Sequence, residues 1–170
     1  MDARRGSEPA PMKNSTTVER KSDRELVVTR TFNAPPRIVF EAWTKPDLFK
    51  RWWVPKSFGL TLLSCEMDVR VGGRYRLVFS GAAEPMAFYG RYIEVTPCSR
   101  LVWTNEEGGD AGQVTTVTFE EKAGKTQVVM HELYPSKEAL DGSGATDAMP
   151  ETFEQLDELL VTLGARVGRS

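Results

Sequence analysis

The chain has 170 residues, 40% hydrophobic and 27% charged, with a formal net charge of −2. This is the composition of one soluble domain large enough to bury a core of its own. The charge balance argues against a nucleic-acid or membrane surface, and no apolar run approaches the ~20 residues of a membrane span.

Residues 1–22 are polar and without period, and read as a disordered tail. No apolar segment of the secretory kind opens the chain, so a cytoplasmic location is expected. Cys65 and Cys98 are then expected as reduced core thiols. A single domain is expected over residues 23–165, with a flexible C-terminus at 166–170.

Glu25 to Phe32 (ELVVTRTF) is rich in β-branched and aromatic residues and reads as the first strand. Asn33-Ala34-Pro35-Pro36 ends it. Ile38, Val39, Ala42 and Trp43 fall on one side of a helix from about Arg37 to Trp43. Pro46 opens a second short helix carrying Leu48, Phe49, Trp52 and Trp53, stopped by Pro55 and Gly59. Together the two make a V-shaped prop under a sheet. Six strands follow at Thr61–Val69, Tyr75–Phe79, Phe88–Val95, Leu101–Thr104, Val114–Phe119 and Gln127–Leu133, parted by turn signals at hairpin spacing. Pro135 to Asp147 is a loop or partial helix. Met149 to Leu163 then places Met149, Phe153, Leu156, Leu159, Leu160 and Leu163 on one helical face. Glu151, Glu154, Gln155, Asp157 and Glu158 fill the other. Pro150 suits the first turn and Gly164 the stop. The fold class is α+β: a curved antiparallel sheet of about seven strands around a long C-terminal helix, with two short helices after strand one.

Several motifs are excluded. Gly124-Lys125-Thr126 lacks the upstream glycine and the strand-to-helix turn of a phosphate loop, and no GxGxxG occurs. Glu106, Glu107 and Asp110 lack calcium-loop spacing and read as an exposed turn. His131 is the only histidine, with no legible nucleophile or metal-ligand set beside it. No cofactor, metal or catalytic residue is assigned.

The remaining candidates are set by alternation. Arg74 and Arg76 share one face of their strand, outward, and Tyr75, Leu77 and Phe79 the other. Parity leaves His131 open, because both sides of its strand are apolar. It groups Glu132 with Val128 and Met130; if inward, Glu132 must find a partner or stay protonated. Arg91 is read as reaching inward to pair with it, or as an outer residue. Tyr75, Phe79, Phe88, Tyr89, Tyr92, Trp103 and Phe119 suit a cavity for a flat apolar ligand, or a packed core. Trp43, Trp52 and Trp53 read as packing in the prop, with one of them available to cap a cavity mouth.

The stretches TRTFNAPPRIVFEAWTKPDLFKRWWVP, Gly72-Gly73-Arg74-Tyr75, YGRYIEVTPCSRLVWT, TVTFEEKAGKTQVVMHELYPSKEAL and ETFEQLDELL occur in this order over roughly residues 24–163. They resemble the START-like (SRPBCC) superfamily and, within it, the family named for homology to the activator of heat shock protein 90 ATPase. The resemblance implies a helix-grip fold and a cavity between sheet and long helix. Gly142 to Phe153 (GSGATDAMPETF), with Pro150 inside it, departs from the glycines and bulky residue that precede the long helix in many relatives. The implied function is binding of a small hydrophobic or aromatic molecule. The alternatives are a polyketide cyclase or hydrolase-like enzyme using the same cavity, and a co-chaperone of a heat-shock ATPase. The chaperone partner rests on the family name alone, and a homodimer is left open. The expected cavity, on the order of 300 Å³ or more, is bounded by Tyr75, Leu77, Phe79, Tyr92, Trp103, Phe119 and Met130. Phe153, Leu156 and Leu160 cover it from the helix, and Glu132 or Arg91 anchors it.

Overall fold

Strict apolar alternation makes a sheet that buries one face. In Glu25–Phe32 (β2) every second residue, from Leu26 to Phe32, is buried, and the others are half-buried. The protein is described by a computed structural model over residues 16–54, 56–80, 86–106, 113–142 and 145–168. The other strands are Thr17–Ser22 (β1), Thr61–Met67 (β3), Arg74–Ser80 (β4), Met86–Thr96 (β5), Arg100–Asn105 (β6), Gln113–Lys122 (β7) and Lys125–Leu133 (β8). They form one antiparallel sheet in the order β1-β2-β8-β7-β6-β5-β4-β3. From β3 to β8 it is a meander. β2 closes it by pairing along its whole length with β8, from Glu25 opposite Leu133 to Phe32 opposite Thr126. Ala123 and Gly124 both take positive φ in the β7–β8 turn, the backbone that matches a two-residue hairpin to strand twist.

The helices are Pro36–Thr44 (α1), Pro46–Phe49 (α2), Lys137–Asp141 (α3) and Ala145–Gly168 (α4). They cover only the buried face of the sheet. α4 packs on β1, β2 and α1. α1 lies over β7 and β8, and α2 reaches β3. The α+β helix-grip architecture therefore stands, with eight strands rather than seven. No helix among the described residues is long and apolar enough to cross a membrane.

Four expectations need correction. Residues 17–22, expected in the tail, form the edge strand β1; the expected tail's residues 1–15 lie outside the described residues. Val18 is the one apolar side chain in β1, so no alternation announces it; main-chain bonding to β2 holds it. α4 begins at Ala145 and continues through Gly164 to Gly168, leaving Pro150 inside it. One proline near a helix start removes one backbone bond, and one helical glycine costs about 1 kcal/mol; a helix of 24 residues tolerates both. The polar face of α4 is not all solvent. Thr152 and Gln155 are buried. Gln155 Nε2 donates to the carbonyls of Trp52 and Val54 at 3.0 and 2.9 Å, and its Oε1 accepts from Lys56 N at 2.9 Å. The loop after α2 has no ladder to bond its backbone, so a buried amide does it. Lastly, Cys98 is exposed in the β5–β6 turn at φ 61°, and Cys65 is half-buried on β3.

Gly90 marks the tightest approach in the sheet. A Cβ there would sit 1.8 Å from the carbonyl oxygen of Thr104 and 3.0 Å from the Tyr75 ring. Backbone cannot yield to that, so only glycine lets Tyr75 lie across β5 and donate from its hydroxyl to Thr104 O at 2.6 Å.

Two truncations on α4 test the packing. Leu156 is fully buried, and Leu156→Ala is expected to cost about 2–5 kcal/mol. Glu154 is exposed, and Glu154→Ala is expected to change stability by less than about 0.5 kcal/mol. Denaturant midpoints measure both; equal losses would mean that the helix is rotated from this register.

Candidate functional site

The space the fold leaves open lies on the covered face, under the prop. α1, α2 and the loop after them present Trp43, Phe49 and Trp53. The strands opposite present Met67, Tyr75, Leu77, Tyr92 and Trp103. The cavity volume is about 20 Å³, room for one water molecule. The walls are almost wholly apolar, and no carboxylate, amine, imidazole or thiol lines them among the described residues.

This places the expected site residues in three groups. Tyr75, Leu77, Tyr92 and Trp103 line the cavity. Phe79, Phe119, Met130, Phe153, Leu156 and Leu160 are buried in the same hydrophobic core but do not line the cavity. Glu132 and Arg91 are not at the cavity, so neither anchors it. The expected volume of about 300 Å³ is also not present: Trp43 occupies the centre, its ring centroid 6.0 Å from Trp103, 6.0 Å from Phe119 and 6.1 Å from Phe153. Trp43, expected as packing in the prop, is both packing and wall. Its parity on α1 with Val39 and Ala42 predicts burial, but nothing in sequence tells how far the ring reaches.

Arg91 is outward because Tyr92 is inward, and neighbours on a strand point to opposite faces. Its Nε donates to Glu106 Oε2 at 2.9 Å, and Thr104 Oγ1 donates to the same oxygen at 2.8 Å. Both bonds hold the Glu106 carboxyl below its usual range, Arg91 first. Arg74 and Arg76 are exposed on the same outer face, as expected. With Glu66 and Tyr89 they border an open cleft of about 400 Å³. It is far larger than the apolar cavity, but it is a solvent groove of mixed charge. His131 is also outward, with Nε2 2.9 Å from Glu25 Oε2. No group of histidine, cysteine and carboxylate suited to a metal occurs among the described residues.

Glu132 is inward, as its parity with Met130 indicates, and only 6% exposed. It forms no ion pair among the described residues. Tyr134 Oη donates to its Oε1 at 2.6 Å. Burial pushes its carboxyl upward, and the Tyr134 bond only partly offsets that. One inward row across the sheet runs Tyr92, Trp103, Thr115, Glu132, Leu26. Glu132 is thus two strands, roughly 10 Å, from the cavity wall at Trp103. Thr115 lies between them, its hydroxyl buried and without a hydrogen-bond partner among the described residues.

Residues 33–161 match the model of the Activator of Hsp90 ATPase homolog 1-like protein family. The chain belongs to that family. Solved structures agree on the fold. A Rhodobacter sphaeroides protein is 25% identical with a TM-score of 0.77, over 87% of this chain and 99% of its own. Protein Ms6760 from Mycobacterium smegmatis is 25% identical with a TM-score of 0.73, over 88% and 99%. Protein NE0264 from Nitrosomonas europaea, 23% identical with a TM-score of 0.76 over 85% and 99%, shares the fold. No curated protein matches the sequence.

The Glu132 carboxyl gives a pH test. In the unfolded chain it loses its proton near the usual value, about 4.3. The folded protein retains that proton to higher pH, so above the usual value the folded state binds more protons than the unfolded one. Stability then falls as pH rises through that window. Glu132→Gln removes this component and keeps the acceptor for Tyr134. Its melting temperature is expected to gain on the wild type between about pH 4 and pH 8. A variant that instead loses ground as pH rises would mean that Glu132 is ionised and paired.

Proposed function

We propose that the protein binds a small, uncharged, aromatic or otherwise apolar molecule in the cavity between the prop and strands β3 to β6. The observation that carries this reading is the wall: Trp43, Trp53, Trp103, Tyr75 and Tyr92 face one space, with no charged side chain on it among the described residues. Burial of apolar surface against such rings is the driving force, at roughly 25 cal/mol per Å². A wall without carboxylate, imidazole or thiol supports a binder over a catalyst, which needs an acid, base or nucleophile in reach of its substrate.

The cavity has room for about one water molecule, so binding of anything larger requires the prop to give way. The prop is the mobile side for a physical reason. α2 has only four residues, and three hydrogen bonds from Gln155 tether the loop behind it. The opposite wall is continuous sheet. Trp53, half-buried and stacked on Phe49 at 4.7 Å, is the side chain that must swing.

Thermal unfolding with a panel of uncharged aromatic compounds tests the reading. At least one compound is expected to raise the melting temperature in a concentration-dependent way, by the mass-action term RT ln(1 + [L]/Kd). Met67→Phe adds bulk on the accessible side of the cavity and is expected to abolish that shift. Its own cost in stability should stay within about 1–3 kcal/mol. A panel without effect on the wild type, together with native mass spectra showing no co-purified small molecule, would sink the proposal.

A further inference from the structure

One of the residues lining the cavity carries a buried donor with nothing to donate to. Trp43 is 1% exposed, and its indole Nε1 is buried with no hydrogen-bond partner among the described residues. Trp52, its neighbour in the same cluster, shows the ordinary outcome: its Nε1 donates to the carbonyl of Ala42 at 2.9 Å. An orphaned buried N–H carries the full desolvation penalty of its dipole and calls for a partner not belonging to the chain. Tyr92 faces the same space and is 3% exposed. Burial drives its ionisation upward, so at neutral pH it stays a neutral O–H. Tyr75, the other tyrosine of the wall, has its hydroxyl engaged by Thr104 O and Asn105 Oδ1.

Indole N–H groups donate only, and the lining side chains include no carboxylate, amide or imidazole as an acceptor. We infer that the cavity is built for a neutral planar ligand carrying a hydrogen-bond acceptor, a carbonyl or equivalent oxygen, received by Trp43 Nε1–H and Tyr92 Oη–H. This rests on the binding reading above and narrows its ligand class. The ligand is neutral because no cation lines the wall to offset the desolvation of an anion. It is an acceptor because the unpartnered Trp43 N–H only donates.

The test uses two probes of equal size and shape, acetophenone and α-methylstyrene, which differ by a carbonyl oxygen against a methylene. Affinities are measured by NMR titration of the ¹⁵N-labelled full chain and of Tyr92→Phe. The ratio of acetophenone to α-methylstyrene affinity is expected to fall about three- to tenfold in Tyr92→Phe, the worth of one hydrogen bond. The chain has four tryptophans, hence four indole cross-peaks. In the wild type the Trp43 peak is expected to move downfield with acetophenone and not with α-methylstyrene. This second readout needs no variant. An unchanged ratio with an unmoved Trp43 N–H, while both probes bind, would overturn the acceptor inference and leave the binder standing. Binding of neither probe would remove both.

Discussion

One indole holds the three layers together. Trp43, at the end of α1, has ring contacts with Phe49, Trp52 and Trp53 of the prop, with Trp103 and Phe119 of the sheet, and with Phe153 of α4. No other side chain touches all of these elements by ring contact among the described residues. Each aromatic pair adds about 0.5–1.5 kcal/mol beyond area burial, so the cluster fixes where α1 and α4 sit on the sheet. The same ring fills the volume in which a cavity under the long helix is expected. Core and cavity wall are thus one packing problem, and Trp43 is counted in both.

How the inner face is covered follows from helix length. α4, with 24 residues, packs over β1 and β2 and against α1. Arg30 seals that end: buried to 5%, it donates to Thr16 Oγ1 at 2.9 Å and to Asp157 Oδ2 at 3.2 Å, and lies over the Phe32 ring. A buried guanidinium is tolerated there because carboxylate and hydroxyl partner it. At the other end of the sheet, the inner face of β3 to β6 is covered by Trp43 of α1, by α2 and by the loop after it.

Most of the inside-outside pattern is legible in the sequence, because a strand has a period of two. Tyr75, Leu77 and Phe79 against Arg74 and Arg76 is such a case, and so is Glu132 beside Met130. The outward place of Arg91 follows from Tyr92 by the same rule. Three things are not legible. β1 carries one apolar residue and pairs through its backbone, so it leaves no side-chain signature. Gln155 sits among acids on a helix, and only the unpaired carbonyls of Trp52 and Val54 explain its burial. The volume of the cavity depends on how six rings interlock around Trp43. Interiors pack to a density at which one rotamer decides whether a space exists. Parity names the wall; it does not give the room inside.

The contrast between the two ends bears on the proposed site in so small a space. A fully packed interior would give Trp43 Nε1 a carbonyl, as Ala42 serves Trp52. The prop's free carbonyls, those of Trp52 and Val54, are taken by Gln155 on the opposite side. Trp43 Nε1 has no partner among the described residues. Filling the gap with a larger aliphatic side chain would bury the N–H permanently without an acceptor. Leaving room for a molecule that brings its own acceptor removes that cost only when the molecule is present. An unsatisfied donor beside a closable gap makes the occupied state the better bonded one, and that difference is what a binding site requires.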